Sequence, residues 1–283
     1  MDARCGVVLV ATGAETYIAL AERAAASVRR HCPGLAVDLF TDEPRELAVF
    51  DRVHVLADPW FRSKIDALLA ARFERTLYMD ADILALADFR DVFEVLDRFD
   101  IALAQDWYRN SALHHTFWRR PLPPAFPQFN GGLIALRRNR ATTAFLTEWR
   151  AAVLASDTGR DQIALRELLW ESELRIATLP EEYNLLWIQG LRHWTTLFAA
   201  PRLIHSPRFH QEFDRYARAK DPAAARMGLV AAAKLPMLLA ADRGLARLRG
   251  AAPREPTRGD RLARLGRLLA GLPAALAGRL RRG

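Results

Sequence analysis

The stretch Arg75-Thr-Leu-Tyr-Met-Asp80-Ala81-Asp82-Ile83 ends an apolar segment on two carboxylates. Residues 76–79 are apolar or β-prone and include neither glycine nor proline, which predicts a short buried strand. The carboxyl ends of strands in an open α/β sheet line the crevice that binds ligands, so Asp80 and Asp82 should lie in that crevice. Carboxylate oxygens suit Mg²⁺ or Mn²⁺. The stretch therefore predicts a metal site able to grip a diphosphate.

This pair of aspartates is weak evidence when taken alone. A chain with 33 acidic residues is expected to contain an Asp-x-Asp tripeptide by chance. Solvated aspartates at strand ends are also common, so the metal interpretation depends on the neighbouring elements.

The preceding residues predict a β-α-β unit. A continuous apolar run over 7–11 and a second over 37–41 are typical of buried parallel strands. Apolar residues recur at helical spacing over 15–30, between the two runs. Thr12 and Gly13 occupy the first strand-to-helix loop, which is the usual nucleotide position, although such turns also occur without a ligand. The sequence contains neither a Gly-x-Gly-x-x-Gly fingerprint nor a Walker loop.

Strands and helices continue to alternate after this unit, which predicts an α/β fold with a central sheet. Residues 106–128 interrupt the pattern with aromatic residues and four prolines. Such a long loop is either an acceptor-binding segment or a cover held to the body by its aromatic rings. The further predicted strands are 53–56, 100–104, 133–136 and 203–205, and the further predicted helices are 60–71, 89–96, 141–154 and 163–170.

Composition describes an ordinary globular chain of 283 residues, 51% hydrophobic and 26% charged. Its two cysteines, Cys5 and Cys32, favour buried thiols in a reducing compartment over a disulfide framework. The N-terminus lacks a signal-peptide pattern, and no apolar run reaches the roughly 18 residues that would span a bilayer. These features predict a cytoplasmic protein.

The positive charge is concentrated at the C-terminal end. Residues 1–200 carry a net charge of −4, whereas residues 201–283 carry +12, so the basic excess does not indicate nucleic-acid binding by the body. We expect two units, a domain over 1–215 and a basic amphipathic helical tail over 216–283. Residues 251–259 resemble a hinge, and leucines recur at helical spacing beyond it, at Leu262, Leu265, Leu269, Leu272, Leu276 and Leu280, with an interruption at Pro273. This tail could bind a partner or lack a fold, but we favour attachment to an anionic membrane, on the inner face of the cytoplasmic membrane.

Taken together, these segments resemble one family. The chain is similar to the metal-dependent nucleotide-sugar glycosyltransferases of the GT-A fold, and most closely to glycosyltransferase family eight, the group of glycogenin and the bacterial lipooligosaccharide galactosyltransferases. The similarity covers residues 5–210 and lies in the joint order of several weak motifs. These are Val10-Ala11-Thr12 with the following Tyr17, Lys64, Leu77-Tyr-Met-Asp80-Ala-Asp82, Phe129-Asn130-Gly131-Gly132, Asp161-Gln162, the turn ending at Asn184, and Leu203-Ile-His205.

The resemblance implies a GT-A fold, which is a Rossmann-like single domain with a mixed sheet, and a role for each matching residue. Asp80, Asp82 and His205 would hold Mn²⁺ or Mg²⁺; on residue type alone, His205 would more often be structural. Asn130, Asp161 and Gln162 would line the donor-sugar pocket as the catalytic set, with Gln162 near the anomeric carbon. The nucleotide-binding set would be Ala11, Thr12, Tyr17, Lys64, Asp80 and Ala81, with Tyr17 stacking on uracil.

The resemblance is incomplete at two places. The family usually follows its histidine with a glycine and a Lys-Pro-Trp that hold the diphosphate, whereas Ser206-Pro207-Arg208 follows here. Arg208 is a candidate substitute because a guanidinium suits phosphate. The first loop is also about one residue longer than the common pattern, which loosens the assignment of Tyr17.

The function predicted from this resemblance is retaining transfer of a sugar from a UDP-sugar to a saccharide or lipid-linked acceptor. One alternative is a non-catalytic protein that binds nucleotide-sugars as a scaffold in a surface-polysaccharide system. A sugar nucleotidyltransferase ranks lower, because that class usually opens with a glycine-rich basic loop, and residues 11–17 contain one glycine and no basic residue.

Overall fold

The structure, a computed structural model, describes residues 4–156 and 159–280, and for 273–280 only the backbone. Its strands are β1 Cys5–Val10, β2 Ala36–Thr41, β3 Arg52–Val55, β4 Arg75–Met79, β5 Ile83–Ala85, β6 Ile101–Gln105, β7 Phe129–Arg137, β8 Ile176–Leu179 and β9 Leu203–His205. Its α-helices are α1 Glu15–His31, α2 Lys64–Ala70, α3 Val92–Val95, α4 Ala112–His115, α5 Arg140–Ala155, α6 Asp161–Glu171, α7 Arg208–Gln211, α8 Phe213–Ala217, α9 Pro222–Met227, α10 Leu229–Ala241, α11 Arg243–Leu248 and α12 Arg258–Leu280. Two 3₁₀ segments span Glu181–Tyr183 and Ile188–His193.

The main sheet has seven strands in the order β3-β2-β1-β4-β7-β6-β8. β1 runs parallel to β2 and β4, whereas β7 is antiparallel to both of its neighbours, β4 and β6. The sheet is therefore mixed, as predicted. This arrangement brings the carboxyl ends of β1, β4 and β6 and the amino end of β7 to one edge, which positions the loops described below.

Side chains of alternate residues along the strands enter two cores on opposite faces of the sheet. Val7 and Leu9 of β1 face one core, which is shared with α1, and Val8 faces the other, which is shared with α2, α5 and α6. The three layers are thus helix, sheet and helix, and both faces are covered, as expected for strands that are apolar throughout.

The structure differs from the predicted elements in several places. The helix predicted over 60–71 begins only at Lys64, because the residues before it form a turn in which the Trp60 amide donates to Ser63 Oγ at 2.8 Å. The helix predicted over 89–96 shortens to the single turn of α3. The strand predicted over 133–136 extends back to Phe129, so its paired glycines lie inside β7. Strands β5 and β8 were not predicted.

The segment predicted as a tail has two parts in the structure. Side chains of Tyr216, Met227, Leu238 and Leu245 lie buried in the same core as β1 and α1, so residues 216–248 pack on the body. α12 follows after an extended linker and contacts α10. The side chains of Leu276 and Leu280 lie outside the described residues, as do residues 1–3 and 281–283 of the two predicted units. No helix in the described part of the chain is long and apolar enough to cross a bilayer.

Asp100 links residues at the ends of neighbouring strands, at the β8 edge of the main sheet, and its ionisation should make stability depend on pH. Its carboxylate accepts hydrogen bonds from the Arg137 side chain at 2.6 Å and from the Arg175 amide at 3.0 Å. Burial alone would raise the pKa of Asp100, but its bonds to Arg175 and Arg137 outweigh burial and hold that pKa well below the usual range.

We expect Asp100→Asn to lower the free energy of unfolding by about 2 kcal/mol at pH 7. Because the folded-state pKa is depressed, this contribution is present above the unfolded pKa of about 3.9 and is lost as pH falls below it. Urea unfolding at a series of pH values should therefore show a shallower acid loss in the variant. Asp97→Asn is the control, since Asp97 is half exposed in its ion pair with Arg75 and should change stability by less than about 1 kcal/mol. Equal effects of the two substitutions would contradict this account.

Candidate active site

The two aspartates of the sequence motif lie between the two sheets. β4 ends at Met79, opposite Leu133 of β7, and the chain turns through Asp80 and Asp82 into β5. The amide of Asp80 donates to the carbonyl of Gly132 at 2.8 Å, which extends the β4–β7 pairing by one residue. The hydroxyl of Tyr78 donates to Asp80 Oδ1, and this bond orients the carboxylate.

His205 reaches the aspartates through the small second sheet. β5 pairs antiparallel with β9, and this register sets His205 opposite Ile83, the residue after Asp82. His205 Nε2 lies 3.2 Å from Asp82 Oδ1 and 4.0 Å from Asp80 Oδ2. The other ring nitrogen, Nδ1, lies 3.0 Å from Asn184 Oδ1. An amide oxygen can only accept, so this contact sets the proton on Nδ1 and leaves Nε2 as a ligand.

These three side chains could hold a metal ion. One ligand atom from each lies within 4.8 Å of the others, and two carboxylates with one imidazole form a donor set that binds divalent cations. Gly132 leaves the space that this cluster requires. A Cβ at that position would lie 2.5 Å from His205 Cε1 and 2.6 Å from Asp80 Oδ2.

The electrostatics of the cluster fit the same interpretation. Burial raises the pKa of Asp80, and Lys64 only partly opposes this shift. Burial acts in the same direction on Asp82, but the charge of His205 outweighs it and lowers the pKa of Asp82. Burial would lower the pKa of His205, but Asp82 outweighs it and raises that pKa. The two carboxylates thus favour a positive charge at His205, and a bound cation would take the place of the proton on Nε2.

A second charged cluster flanks the first. Asp161 begins α6 and is 4% exposed. Its carboxylate forms ion pairs with Lys64 Nζ at 2.5 Å and Arg62 Nε at 2.8 Å. Burial would raise the pKa of Asp161, but Lys64 and then Arg62 outweigh it and lower that pKa. Lys64 Nζ also donates to the carbonyl of Gly131 at 2.9 Å, so both lysine and aspartate are held in place.

Two cavities meet at these clusters and share Arg62, Lys64 and Asp80 as lining residues. The first has a volume of about 450 Å³ and extends over the loop after β1. The second has a volume of about 810 Å³ and contains the remaining metal ligands. We call them the nucleotide-side cavity and the sugar-side cavity.

Most of the residues predicted from the sequence line one of these cavities. Ala11, Thr12, Tyr17, Lys64 and Asp80 line the nucleotide-side cavity, and Asp80, Asp82, Asn130, Asp161, Gln162 and His205 line the sugar-side cavity. Ala81 is the exception among them. Its methyl group packs in the core, so any contact with a nucleotide would come from its backbone. The ring of Tyr17 stacks on His210, with centroids 4.6 Å apart.

Four residues at the site have roles that the sequence did not indicate. Arg62 pairs with Asp161, Asn184 orients His205, Tyr78 orients Asp80, and Trp60 lines the nucleotide-side cavity. The sequence contained an indication for two of them, since Asn184 closes one of the matching segments and Tyr78 lies in the strand that ends before Asp80. No pattern in the sequence connects Arg62 to Asp161.

Comparison of the sequence with known protein families identifies the family of this chain. Residues 51–207, more than half of the chain, match the profile of the nucleotide-diphospho-sugar transferase family. The chain belongs to this family. The matched range includes Asp80, Asp82, Asp161 and His205, so the predicted site lies within the segment that shows the family.

Solved structures of another protein share the fold of this chain. The crystal structure of the glycosyltransferase GlyE from Streptococcus pneumoniae TIGR4 aligns with a TM-score of 0.55 and 16% identity, over 76% of this chain and 61% of GlyE. The apo form of GlyE aligns with the same score and identity, over 77% and 61%. The chain described here thus spans about three fifths of the length of GlyE. The likeness confirms the predicted GT-A architecture. No curated protein sequence matches the chain.

Proposed function

We propose that this family member is a metal-dependent glycosyltransferase that moves a sugar from a UDP-sugar to a saccharide or lipid-linked acceptor, with retention of anomeric configuration, as in glycosyltransferase family eight. The observation that supports this most directly is the position of Asp80, Asp82 and His205 where the nucleotide-side and sugar-side cavities meet. A nucleotide-sugar is long enough to extend through both cavities and would place its diphosphate at their junction.

The nucleotide-side cavity supports binding of a base and a ribose. Tyr17 and Trp60 supply aromatic faces at its wall, and the loop at Ala11 and Thr12 brings backbone close to the cavity. In this proposal a uracil ring would compete with His210 for the face of Tyr17. The volume of about 450 Å³ suits a ligand fragment of nucleoside size.

The sugar-side cavity supports the reacting half of the donor. Asp161 and Gln162 reach it from the first turn of α6, and Asn130 from the start of β7. The Gln162 side chain donates to the Phe129 carbonyl at 3.2 Å, which holds it beside Asn130. Arg208 lines the same cavity and is the proposed substitute for the family's diphosphate-binding lysine.

A cation bound by Asp80, Asp82 and His205 would act as a Lewis acid for the departing diphosphate. The chain's own residues would then orient the donor: Lys64 and Arg62 lie at the junction as fixed positive charges, and Asp161 holds both in position.

Metal-dependent donor binding is the test of this proposal. We expect Mn²⁺ to bind the wild-type protein, and a UDP-sugar at 100 times its Kd to add about 2.7 kcal/mol to the free energy of unfolding. Asp82→Asn should weaken Mn²⁺ binding in a calorimetric titration and abolish UDP release from the donor. Glu148→Gln is the matched control, because Glu148 is an exposed acid that lines neither cavity.

Three outcomes separate the alternatives. UDP release that persists with EDTA, or in Asp82→Asn, would refute the metal proposal. UDP binding without sugar transfer or donor hydrolysis would favour the scaffold alternative. Release of pyrophosphate from a nucleoside triphosphate and a sugar phosphate would favour the nucleotidyltransferase.

We also propose that α12 attaches the protein to an anionic membrane, on the inner face of the cytoplasmic membrane. The body-facing side of α12 includes Arg267, whose guanidinium donates to the Ala233 carbonyl at 3.1 Å, and Gly271, whose missing side chain leaves room for Leu229. The leucine stripe lies on the outer side, where Leu262, Leu265, Leu269 and Leu272 are each at least 44% exposed. An outward apolar stripe in a segment with net charge +9 over residues 243–283 complements an anionic lipid surface.

We expect wild-type protein to sediment with vesicles rich in phosphatidylserine and to stay in solution with phosphatidylcholine vesicles. Replacing Leu262, Leu265, Leu269 and Leu272 together by serine should abolish sedimentation, because the apolar stripe is lost while the positive charge is kept. Serine at Ala263 and Ala270, two exposed positions on the same helix, is the control. Sedimentation of the leucine variant at the wild-type level would refute membrane attachment through α12.

A further inference from the structure

A third cavity, with a volume of about 450 Å³, lies under the loop of residues 106–128. Its lining includes Arg109, His114, His115 and Arg166, and no acidic side chain lines it among the described residues. Phe117 and Leu122 add apolar surface to the lining. We call it the basic cavity.

Two adjacent charged residues of α6 fix the wall of the basic cavity. The guanidinium of Arg166 donates to the carbonyls of His114 at 3.1 Å, Pro123 at 3.2 Å and Phe126 at 2.6 Å. The carboxylate of Glu167 accepts bonds from the amides of residues 118–120. The loop is therefore held on α6 at several points between His114 and Phe126, and the cavity is formed before any ligand binds. The carboxylate of Glu167 is occupied by these amides, and Glu167 does not line the cavity.

Two buried polar side chains in the lining lack full hydrogen-bond satisfaction. His114 is 8% exposed and Arg166 is 7% exposed. Within residues 4–156 and 159–280, His114 Nε2 and Arg166 Nε have no hydrogen-bond partner. A buried polar atom without a partner lowers stability, and a ligand that bonds to it would remove that cost.

The charges around these two residues are also poorly balanced. Burial lowers the pKa of His114; Asp106 opposes this shift, and Arg166, Arg109 and His115 add to it. Burial also lowers the pKa of Arg166, and Arg109 adds to that shift. An anion in this partly dry cavity would stabilise the guanidinium groups of Arg109 and Arg166 and would favour the protonated form of His114.

We propose that the basic cavity binds the carboxylate or phosphate group of an acidic saccharide acceptor. This inference rests on the proposed transfer reaction and adds the chemical class of the acceptor. Two elements join the basic cavity to the sugar-side cavity. Tyr108 lines the sugar-side cavity and its neighbour Arg109 lines the basic one. On α6, Gln162 and Arg166 are four residues apart, about 6 Å along the helix axis.

This spacing suits an acceptor of one or two sugar units. The acceptor hydroxyl would lie beside Gln162 in the sugar-side cavity, and the acidic group would lie beside His114 and Arg109. Phe117 and Leu122 would cover the apolar C–H faces of the sugar ring that carries the acidic group.

The test uses four probes on the full chain: glucuronate, glucose 6-phosphate, inorganic phosphate and glucose. Binding is followed through the histidine Cε1–H resonances in NMR, with His114→Gln to assign the reporting peak. We expect both acidic sugars to shift the His114 resonance at millimolar concentration and glucose to leave it unchanged. The double variant Arg109→Gln, His115→Gln should raise the Kd of both acidic sugars at least tenfold.

The control removes two cations from the same loop without touching the cavity. Arg119→Gln with Arg120→Gln should leave the Kd of both acidic sugars unchanged, since neither residue lines the basic cavity. An unchanged His114 resonance with both acidic sugars, or equal weakening in the two double variants, would overturn the proposal. Inorganic phosphate binding as tightly as glucose 6-phosphate would overturn its saccharide part.

Failure of the acceptor site and failure of the proposed reaction remain distinguishable. Donor binding and donor hydrolysis need no acceptor, so the Arg109→Gln, His115→Gln variant should keep both and lose only transfer to acidic sugars. A protein that binds no UDP-sugar would fail the proposed reaction, whatever the His114 resonance reports.

Discussion

Gly132→Ala is expected to remove divalent-metal binding from an otherwise folded protein. An alanine Cβ there would lie 2.5 Å from His205 Cε1 and 2.6 Å from Asp80 Oδ2, closer than non-bonded carbon atoms approach. Neither neighbour can easily give way. The Gly132 amide donates to Asn130 Oδ1 at 3.0 Å, its carbonyl accepts from Asp80, and Asn184 holds His205.

We expect Gly132→Ala to weaken Mn²⁺ binding by about 100-fold or more and to lower kcat/KM for donor hydrolysis by about 100- to 1,000-fold. Overpacking should lower the free energy of unfolding by only about 1–3 kcal/mol. Mn²⁺ titration, UDP release and urea unfolding measure these three quantities separately.

Gly266→Ala is the matched control for this substitution. A Cβ at Gly266 in α12 meets no heavy atom within 4 Å, so metal binding should be unchanged and the helix slightly stabilised. Wild-type Mn²⁺ affinity in Gly132→Ala would mean that the cation does not bind between Asp80 and His205. A variant that loses metal binding only because it is unfolded would be identified by its circular dichroism spectrum.

The parts of the fold that could be predicted from sequence are those set by local patterns. Short apolar runs identified β1, β2 and β4 because buried parallel strands are apolar on both faces. β5 has only three residues, and its partner β9 lies far along the chain, so neither length nor periodicity marks it. The prediction that His205 binds the metal rested only on the family resemblance, since a histidine at the end of a short strand is usually structural.

The packing of the C-terminal segment could not be read from periodicity. The leucine spacing of α12 correctly indicates an amphipathic helix, but it does not say which side meets the body. Arg267 and Gly271 decide this, through one hydrogen bond to Ala233 and one close approach to Leu229. Likewise, the basic character of the region hid the apolar contacts that bury Met227 and Leu238 in the core.

Asp242→Ala is expected to lower the free energy of unfolding by about 3–5 kcal/mol. Asp242 and Arg202 form an ion pair at 3.0 Å in which the two side chains are only 2% and 3% exposed. The carboxylate also accepts from the amides of Ala200 at 2.5 Å and Leu245 at 2.7 Å. Removing it leaves a buried guanidinium without its countercharge and two amides without their acceptor.

Glu255→Ala is the control, because Glu255 and its partner Arg243 are both 83% exposed and their pair should contribute less than about 1 kcal/mol. Urea unfolding of the two variants gives the comparison, and equal stability of the two would contradict this expectation.

The same reasoning applies to the predicted boundary after residue 215. A chain of residues 1–215 lacks Asp242 and exposes the core face that α9–α11 cover, so it should aggregate, whereas residues 1–256 should fold. A stable chain of residues 1–215 would contradict this expectation.

The Asp242 contact also bears on the site, because Arg202 immediately precedes β9, the strand that carries His205. The Arg202 carbonyl accepts from the Leu86 amide at 2.8 Å, and the Arg202 amide donates to the Glu182 carbonyl at 2.7 Å. The residue therefore joins β9 to the residue after β5 and to the 3₁₀ segment before Asn184. Loss of its partner should loosen both His205 and the residue that orients it. We therefore expect Asp242→Ala to weaken Mn²⁺ binding even at temperatures where the variant is fully folded, while Glu255→Ala leaves it unchanged. Wild-type Mn²⁺ affinity in folded Asp242→Ala would show that the C-terminal helices support the fold without supporting the metal site.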